Sequence, residues 1–311
     1  MPQSCVNWRD FQDILVCPYS HETLTFEGRA AIAPTDGTVF RETPSGALDF
    51  RLQRPKAVTT TLHVGAGAGD SNMGQFCLLA HNPEPEVALS DPAAGNMLSR
   101  REVSHLPKAS EPGAVALDLG CDAMAFRPLI EAAGFRYVGI DIANEEAMLL
   151  GDAHALPFAD GSVEFVFANA MLQYTQNPFV VMDEIRRVLK DDGVFMGTAA
   201  FLEGFDGNSF FFMTRNAVMS LLAHGRFEIE FVSPDPGWMG FSAINNTSFF
   251  PGLPTRLNNL LWRPYEVLSL LWWQLVRLKG KPFSRADWLA HTTAAFIFRV
   301  RKAPESRVAA E

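Results

Sequence analysis

Four acids stand at places along one stretch of the chain where a carboxylate could meet a ligand: Asp118, Asp122, Asp141 and Asp152. Asp118 lies in the apolar run Val115–Leu119, which is followed by Gly120 and Cys121. Asp141 closes a second run, Tyr137–Asp141, ahead of Ile142. Asp152 follows Gly151 and precedes Ala153, and a further run, Val163–Ala168, ends on Asn169 and Ala170. Strand, tight turn, helix, strand ending in an acid, acidic loop and strand, in that order, build a nucleoside-binding site, because open α/β sheets hold ligands outside the carboxyl ends of their strands.

The elements that must position these groups are legible as patterns. Short apolar runs ahead of glycine read as buried parallel strands. Phe126–Gly134 reads as a helix stopped by its glycine, and Phe179–Leu189 as an amphipathic helix with Asp183, Glu184, Arg186 and Arg187 on its outer face. Asp191–Gly193 turns into a strand over Val194–Thr198. A helix over Asn216–His224, a strand over Phe227–Val232 and a last strand over Thr293–Arg301 follow. Alternating strands and helices demand a mainly parallel sheet with helices on both faces, and the final two strands suit an antiparallel edge.

The composition is that of a globular protein: 311 residues, 48% hydrophobic, with a formal net charge of −9. That balance, without a Lys/Arg run, argues against nucleic acid as the main partner, since neutralising phosphates needs clustered cations. Four cysteines without a C-x-x-C pair make no disulfide framework and point to a reducing compartment. The first ten residues lack a basic region followed by an apolar run, so no signal peptide is expected and the expected location is cytoplasmic. Leu260–Leu278 carries Arg263, Pro264, Glu266, Gln274 and Arg277; its uncharged run Val267–Val276 is too short to span a bilayer, which needs ~20 apolar residues.

Outside the central stretch, residues 1–55 read as a small β-rich module with Gly/Pro turns. Residues 56–113 read as a linker or insert ending in a short helix over Asn96–Leu106. Its run Thr59–Val64 enters the glycine-rich turn Gly65–Gly69, and Val87–Asp91 mimics a strand ending in an acid. This is either a linker turn or a second candidate nucleotide loop. Residues 114–302 form the main unit, 235–290 an apolar insertion within it, and 303–311 a tail. In the insertion, Leu260, Leu261, Tyr265, Leu268, Leu271, Trp272, Leu275 and Leu278 recur at helical spacing, followed by Lys279 and Lys281. The helix reads as a lid or a homodimer face, or else as an interfacial membrane helix over residues 257–281. Each reading favours an apolar acceptor.

The runs Ala116–Cys121, Arg136–Ile142, Gly151–Leu172 and Glu184–Phe195, in that order, resemble the class I S-adenosylmethionine-dependent methyltransferases of the small-molecule type. The resemblance covers about residues 114–233 plus 293–302. It implies a Rossmann-like, doubly wound sheet of seven strands, mostly parallel with the last antiparallel. It further implies S-adenosyl-L-methionine as cofactor, a small-molecule acceptor and membership of the methyltransferases, class EC 2.1.1. The implied cofactor-binding residues are Asp118, Gly120, Cys121, Asp122, Asp141, Ile142, Asp152, Ala153, Asn169 and Ala170. Asp118-x-Gly120 would turn the chain so that backbone N–H groups meet the methionine end, Asp141 would accept the ribose hydroxyls, and Asp152 with Ala153 would read the adenine edge. Ile14–Leu24 with Asp36–Glu42 resembles a zinc-ribbon-like module that accompanies some methyltransferases. Only Cys17 and His21 stand near ligand positions, short of the four that structural zinc requires, so a metal-free relic is expected.

The family pattern D-x-G-x-G-x-G is broken here by Asp122 and Met124. A positive φ at Asp122 costs ~1–2 kcal/mol. Its charge near the cofactor's carboxylate adds ~1–4 kcal/mol at about 4 Å. Together these weaken binding by roughly 30-fold to 10⁴-fold. Alternatively, Asp122 accepts hydrogen bonds from the cofactor's ammonium group and offsets that loss. Two functions follow: methyl transfer, driven mainly by alignment because the sulfonium is already activated, or an inactive scaffold of the same fold. His154, Gln173 and Tyr174 are the residues near the strand ends that could act as a base. His154 reads better as a loop residue and Tyr174 as a pocket wall, so no catalytic residue is assigned.

Overall fold

A computed structural model describes residues 7–62, 76–87, 98–202, 208–235, 238–245, 249–280 and 284–303. After a 3₁₀ turn at Trp8–Phe11, strands β1 (Thr25–Glu27), β2 (Ala30–Ile32) and β3 (Val39–Arg41) form a small antiparallel sheet. Then come β4 (Leu48–Asp49), α1 (Arg100–Val103), β5 (Val115–Leu119), α2 (Arg127–Ala132), β6 (Arg136–Asp141), β7 (Leu149–Leu150) and β8 (Val163–Asn169). The chain continues through α3 (Pro178–Val188), β9 (Leu189–Ala200), α4 (Arg215–His224), β10 (Phe227–Pro234), α5 (Gly240–Ile244), α6 (Thr255–Leu278), α7 (Arg285–Thr292) and β11 (Ala295–Lys302).

The main sheet runs β10-β11-β9-β8-β5-β6-β7-β4. Its strands pair in parallel from β4 to β9, and β11 lies antiparallel between β9 and β10. This is the Rossmann-like doubly wound arrangement with one reversed strand. The seven expected strands are joined by an eighth, β4, which the N-terminal segment contributes by pairing Leu48 with Leu149 and Asp49 with Leu150. Asp191–Gly193 proves to be a bulge inside β9: the register jumps from Val163↔Leu189 to Phe165↔Val194, and Asp192 takes a φ of 61°. Only Arg100–Val103 of the expected 96–106 helix is helical among the described residues, and its first two positions lie outside them. The Gly65–Gly69 turn and most of Val87–Asp91 also lie outside the described residues.

The core is aromatic. Phe165, Phe167, Phe195, Phe296 and Phe298 are fully buried, and the Phe195 and Phe298 rings meet at 4.9 Å. Gly197 has no side chain because a Cβ there would strike the Ala168 carbonyl on β8 and the Phe298 ring.

Helix α3 corrects one expectation. Its charges do not all face water: Glu184 is 8% exposed and Arg186 7%. Arg186 is spent on the carbonyls of Gly225, Arg226 and Ala303. Arg187 grips Glu184 through two bonds of 2.8 Å and donates to the carbonyls of Leu156 and Phe158 and to Asp160. Glu184 also accepts the Leu156 N–H at 2.7 Å. An amphipathic pattern cannot show this, because Glu184 and Arg187 are buried by the loop after β7 and Arg186 by the turn before β10 together with Ala303. Arg187→Met leaves Glu184 buried without its cation and should cost about 3–5 kcal/mol of stability in urea unfolding.

A second polar group lies deeper. Asp118, 1% exposed within β5, accepts the Tyr137 hydroxyl proton at 2.7 Å through Oδ2, and Oδ1 has no partner among the described residues. Burial, with a smaller contribution from Asp141, pushes its carboxyl up to about 7 despite the Tyr137 bond. A carboxyl raised in the folded state binds more protons folded than unfolded between its ordinary value and about 7, so its stabilising contribution is lost as pH rises through that window. The isosteric Asp118→Asn variant should therefore gain stability relative to the native chain as pH rises from about 4 to 8. Denaturant midpoints measured across that range check this; parallel pH profiles for the two proteins would contradict it.

Candidate functional site

A cavity of about 820 Å³ opens at the carboxyl ends of β5, β6 and β8. That lies within the range of small-molecule sites, roughly 300–1,000 Å³, so it can seat a nucleoside and part of a second molecule. Gly120, Cys121, Asp122, Asp141, Ile142, Asp152, Ala153, Asn169 and Ala170 all line it. Asp118 does not. It sits beneath the turn in the cluster with Tyr137 and Cys121, where burial pushes the thiol and phenol well above their ordinary ranges. Gly139 makes room for that cluster, because a Cβ there would lie 2.8 Å from the Cys121 sulfur and 2.9 Å from the Tyr137 hydroxyl.

The turn after β5 is held closed by its own fold. Gly120 has a φ of 74°, and an added Cβ would meet the Met171 Cβ at 2.9 Å, so only glycine fits. The Gly120 and Cys121 N–H groups both donate to the Ile140 carbonyl, at 2.9 and 3.2 Å. The Asp122 N–H donates to Asp141 Oδ2 at 3.1 Å. These amides, expected to meet a ligand, are already bonded within the protein. Asp122 and Met124 take the left-handed conformation that the pattern reserves for glycine, with φ of 46° and 58°. The Asp122 carboxylate is tied to Asn144 Nδ2 at 2.6 Å.

Asp141 is largely committed. Oδ1 accepts the N–H groups of Ala143 and Asn144, and Oδ2 that of Asp122. An ionised carboxylate offers about four lone-pair sites, so about one remains for a ligand hydroxyl. Ile142 beside it is 58% exposed and gives the cavity an apolar wall.

Asp152 and His154 form a relay. Asp152 Oδ1 accepts the His154 N–H at 2.9 Å and its Nδ1–H at 2.5 Å. His154 Nε2 accepts the Asn177 N–H at 3.0 Å, which places the ring proton on Nδ1. Burial opposes the Asp152 charge, yet the His154 hydrogen bonds prevail and hold its carboxyl below the ordinary range. Its Oδ2 has no partner among the described residues and is the oxygen open to a donor. With both ring nitrogens engaged, His154 orients Asp152 and has no free lone pair for a base's work.

At the end of β8, Ala170 has a φ of 49° and gives its N–H to Thr198 Oγ1 at 2.9 Å, while the Thr198 hydroxyl donates to Asn169 Oδ1 at 2.8 Å. Gln173 is buried and donates to the Ala170 carbonyl. It lies outside the lining, whereas Tyr174 forms part of it.

Sequence reasoning missed the wall opposite. The segment after β4 crosses the cavity and contributes Leu52, Lys56 and Val58; Met171, Asn177 and Phe210 complete it. Lys56 Nζ donates to the Pro18 carbonyl at 2.6 Å and lies 3.3 Å from His21 Nε2, and burial lowers its ammonium's pKa. Nothing local marks Leu52 or Lys56, since their role comes from β4 joining the sheet. The exposed run Phe210–Phe212 was a signal available to be read. Cys17 is buried in the turn that also holds His21. Among the described residues, no group of three or more His, Cys, Asp or Glu side chains is placed to hold a metal.

A 32% identical match over 102 residues links the chain to an uncharacterized 37.1 kDa protein of a Streptomyces fradiae transposon, covering 27% of this chain and 29% of that protein. Another, 32% identical over 113 residues, links it to an uncharacterized chloroplastic methyltransferase of Arabidopsis thaliana, covering 34% and 32%. The chain thus spans about a third of the length of these curated relatives. Among solved structures, the [4+2]-cyclase SpnF aligns at 19% identity and a TM-score of 0.40 over 63% of this chain and 77% of that one. Phosphoethanolamine N-methyltransferase 2 of Haemonchus contortus, in complex with S-adenosyl-L-methionine, aligns at 15% and 0.40 over 63% and 50%. The span from β5 into β9 that carries the turn, the acids and Asn169, residues 117–197, matches the methyltransferase domain family.

Proposed function

We propose that this protein transfers a methyl group from S-adenosylmethionine to a small, apolar or lipid-like metabolite in the cytoplasm. One observation carries the reading: the span matching the methyltransferase domain family is the span whose acids and glycine turn line the cavity at the carboxyl edge of the sheet. The donor set suits the cofactor. Asp141 retains one acceptor site for a ribose hydroxyl, Ile142 offers apolar contact to a base, and Asp152 Oδ2 with the backbone of Ala153 would read the adenine edge.

When bound, the cofactor supplies a methyl group already activated on a sulfonium, so the protein's task is to align an acceptor with it and exclude water. Leu52, Val58, Met171, Tyr174 and Phe210 form an apolar wall for that acceptor. No side chain is assigned as a base: His154 is engaged at both nitrogens and Gln173 is buried away from the cavity. The N-terminal module is read as a metal-free relative of the zinc-ribbon-like modules, anchoring the segment that carries Leu52, Lys56 and Val58.

The engaged amides of Gly120, Cys121 and Asp122 favour a second reading, a protein that kept the fold and lost the cofactor. Calorimetry separates the two. Micromolar binding of S-adenosylmethionine, weakened at least about tenfold by Asp141→Ala through loss of a charge-assisted hydrogen bond worth about 1.5 kcal/mol, supports methyl transfer. No heat at millimolar cofactor, with binding gained by the Asp122→Gly/Met124→Gly double variant, establishes the scaffold.

A further inference from the structure

Helix α6 is docked the wrong way round for a water-soluble helix. The side turned to the protein holds Asn258, 3% exposed, with half-buried Trp262 and Trp273 against Met239, Trp288 and Leu289. Ser269 on the same side accepts the Trp288 indole N–H at 2.9 Å. Stepping about 100° per residue, the outward arc of about 160° carries no charged residue at all. It presents Leu257, Leu260, Leu268, Leu271, Leu275 and, 84% exposed, Leu278. Amphipathic helices of soluble proteins turn this stripe inward, and an exposed apolar surface of such extent marks an interaction site.

The charges around the arc indicate what covers it. Arg256 and Arg263 lie along one flank, exposed and without an ion pair among the described residues; Arg277, also exposed, lies further round beside Glu266, and Lys279 follows the helix end. The helix's one acid, Glu266, is half-buried on the inner side. This local excess of cations sits in a chain whose net charge is −9. A second copy would set the same arginines against one another, with no acid on the exposed side of this helix to receive them, whereas anionic phosphates would do so. No helix among the described residues is long and apolar enough to cross a membrane. An apolar arc flanked by arginines, with Trp272 and Tyr265 in it, matches a helix lying in the plane of an anionic lipid surface.

We propose that α6 seats this protein on anionic membranes, its apolar arc in the acyl boundary and Arg256 and Arg263 at the phosphate level. The topology aims the docked protein usefully. The insertion leaves β10 at its carboxyl end and re-enters β11 at its start, and β10 runs parallel to β9 because both oppose β11. The insertion that carries α6 therefore springs from the same edge of the sheet as the cavity. The docking does not depend on the cofactor reading, and a failure of either leaves the other standing.

Co-sedimentation of the full chain with vesicles tests it, using phosphatidylcholine alone and an equimolar mixture with phosphatidylserine. Binding is expected to the mixed vesicles only, falling with salt. Arg256→Gln and Arg263→Gln should each weaken it roughly fivefold. The Leu268→Asp/Leu271→Asp double variant should weaken it at least about tenfold. Unchanged thermal melting shows that these surface variants fold, and Leu275→Gln provides a milder second test of the arc. No pelleting with mixed vesicles overturns the proposal. So does a dimer in light scattering that Leu268→Asp/Leu271→Asp dissociates, since a second copy would then be the occupant.

Discussion

The bidentate pair between Arg187 and Glu184 holds the site together from behind. It welds the loop after β7 to α3, with Arg187 donating to three groups of that loop and Glu184 accepting a fourth contact from it. Two charges removed from water at this depth persist because nearly every donor and acceptor is matched. The consequence is felt at the front of the loop, where Asp152 meets His154 and His154 meets the first turn leading into α3 at Asn177. The acid that faces the cavity is oriented by His154, which bonds to Asn177 at the start of α3, and the ion pair ties that helix to the same loop.

The turn after β5 follows a different logic. Here the backbone is tied to β6 by three N–H groups, and Asp122 bridges Asp141 to Asn144. Two residues occupy left-handed backbone where glycine would be free of cost. The extra bonds to Asp141 and Asn144 compensate for that cost, and they also stiffen the rim of the cavity. A rigid rim favours a ligand that fits it as it stands, and a poor fit would leave the fold intact and the site idle. Both functional readings trace to this one trade.

The N-terminal segment and the C-terminal insertion each lend the core something it lacks. The first adds β4 to the sheet and carries Leu52, Lys56 and Val58 across the opening. The second springs from the same edge and turns an apolar helix face outward. The first makes the cavity wall more apolar than the strand ends themselves.

Much of the fold was legible because buried parallel strands are short apolar runs and their order constrains the topology: β5, β6, β8, β9, the reversed β11 and the pairing of β10 with it follow from pattern alone. The acids at Asp141 and Asp152 were readable because strand ends in such a sheet converge on one edge. Asp118 looked equivalent and is not. Its side chain alternates to the interior, and only the position of Tyr137 on the neighbouring strand shows where it goes. Glu184, Arg186 and Arg187 of α3 looked solvated until the loop after β7, the turn before β10 and Ala303 covered them. The outward face of α6 could not be told from a core-facing one, because a helical stripe records that a face is apolar and not what lies against it. Sequence by itself determined the order of elements, the sheet and the chemical character of the rim, since these depend on local periodicity and on residue type. Tertiary structure alone decided which amides were already spent, which lone pairs remained on Asp141 and Asp152, and which face of α6 was left bare, because each depends on partners distant in the chain.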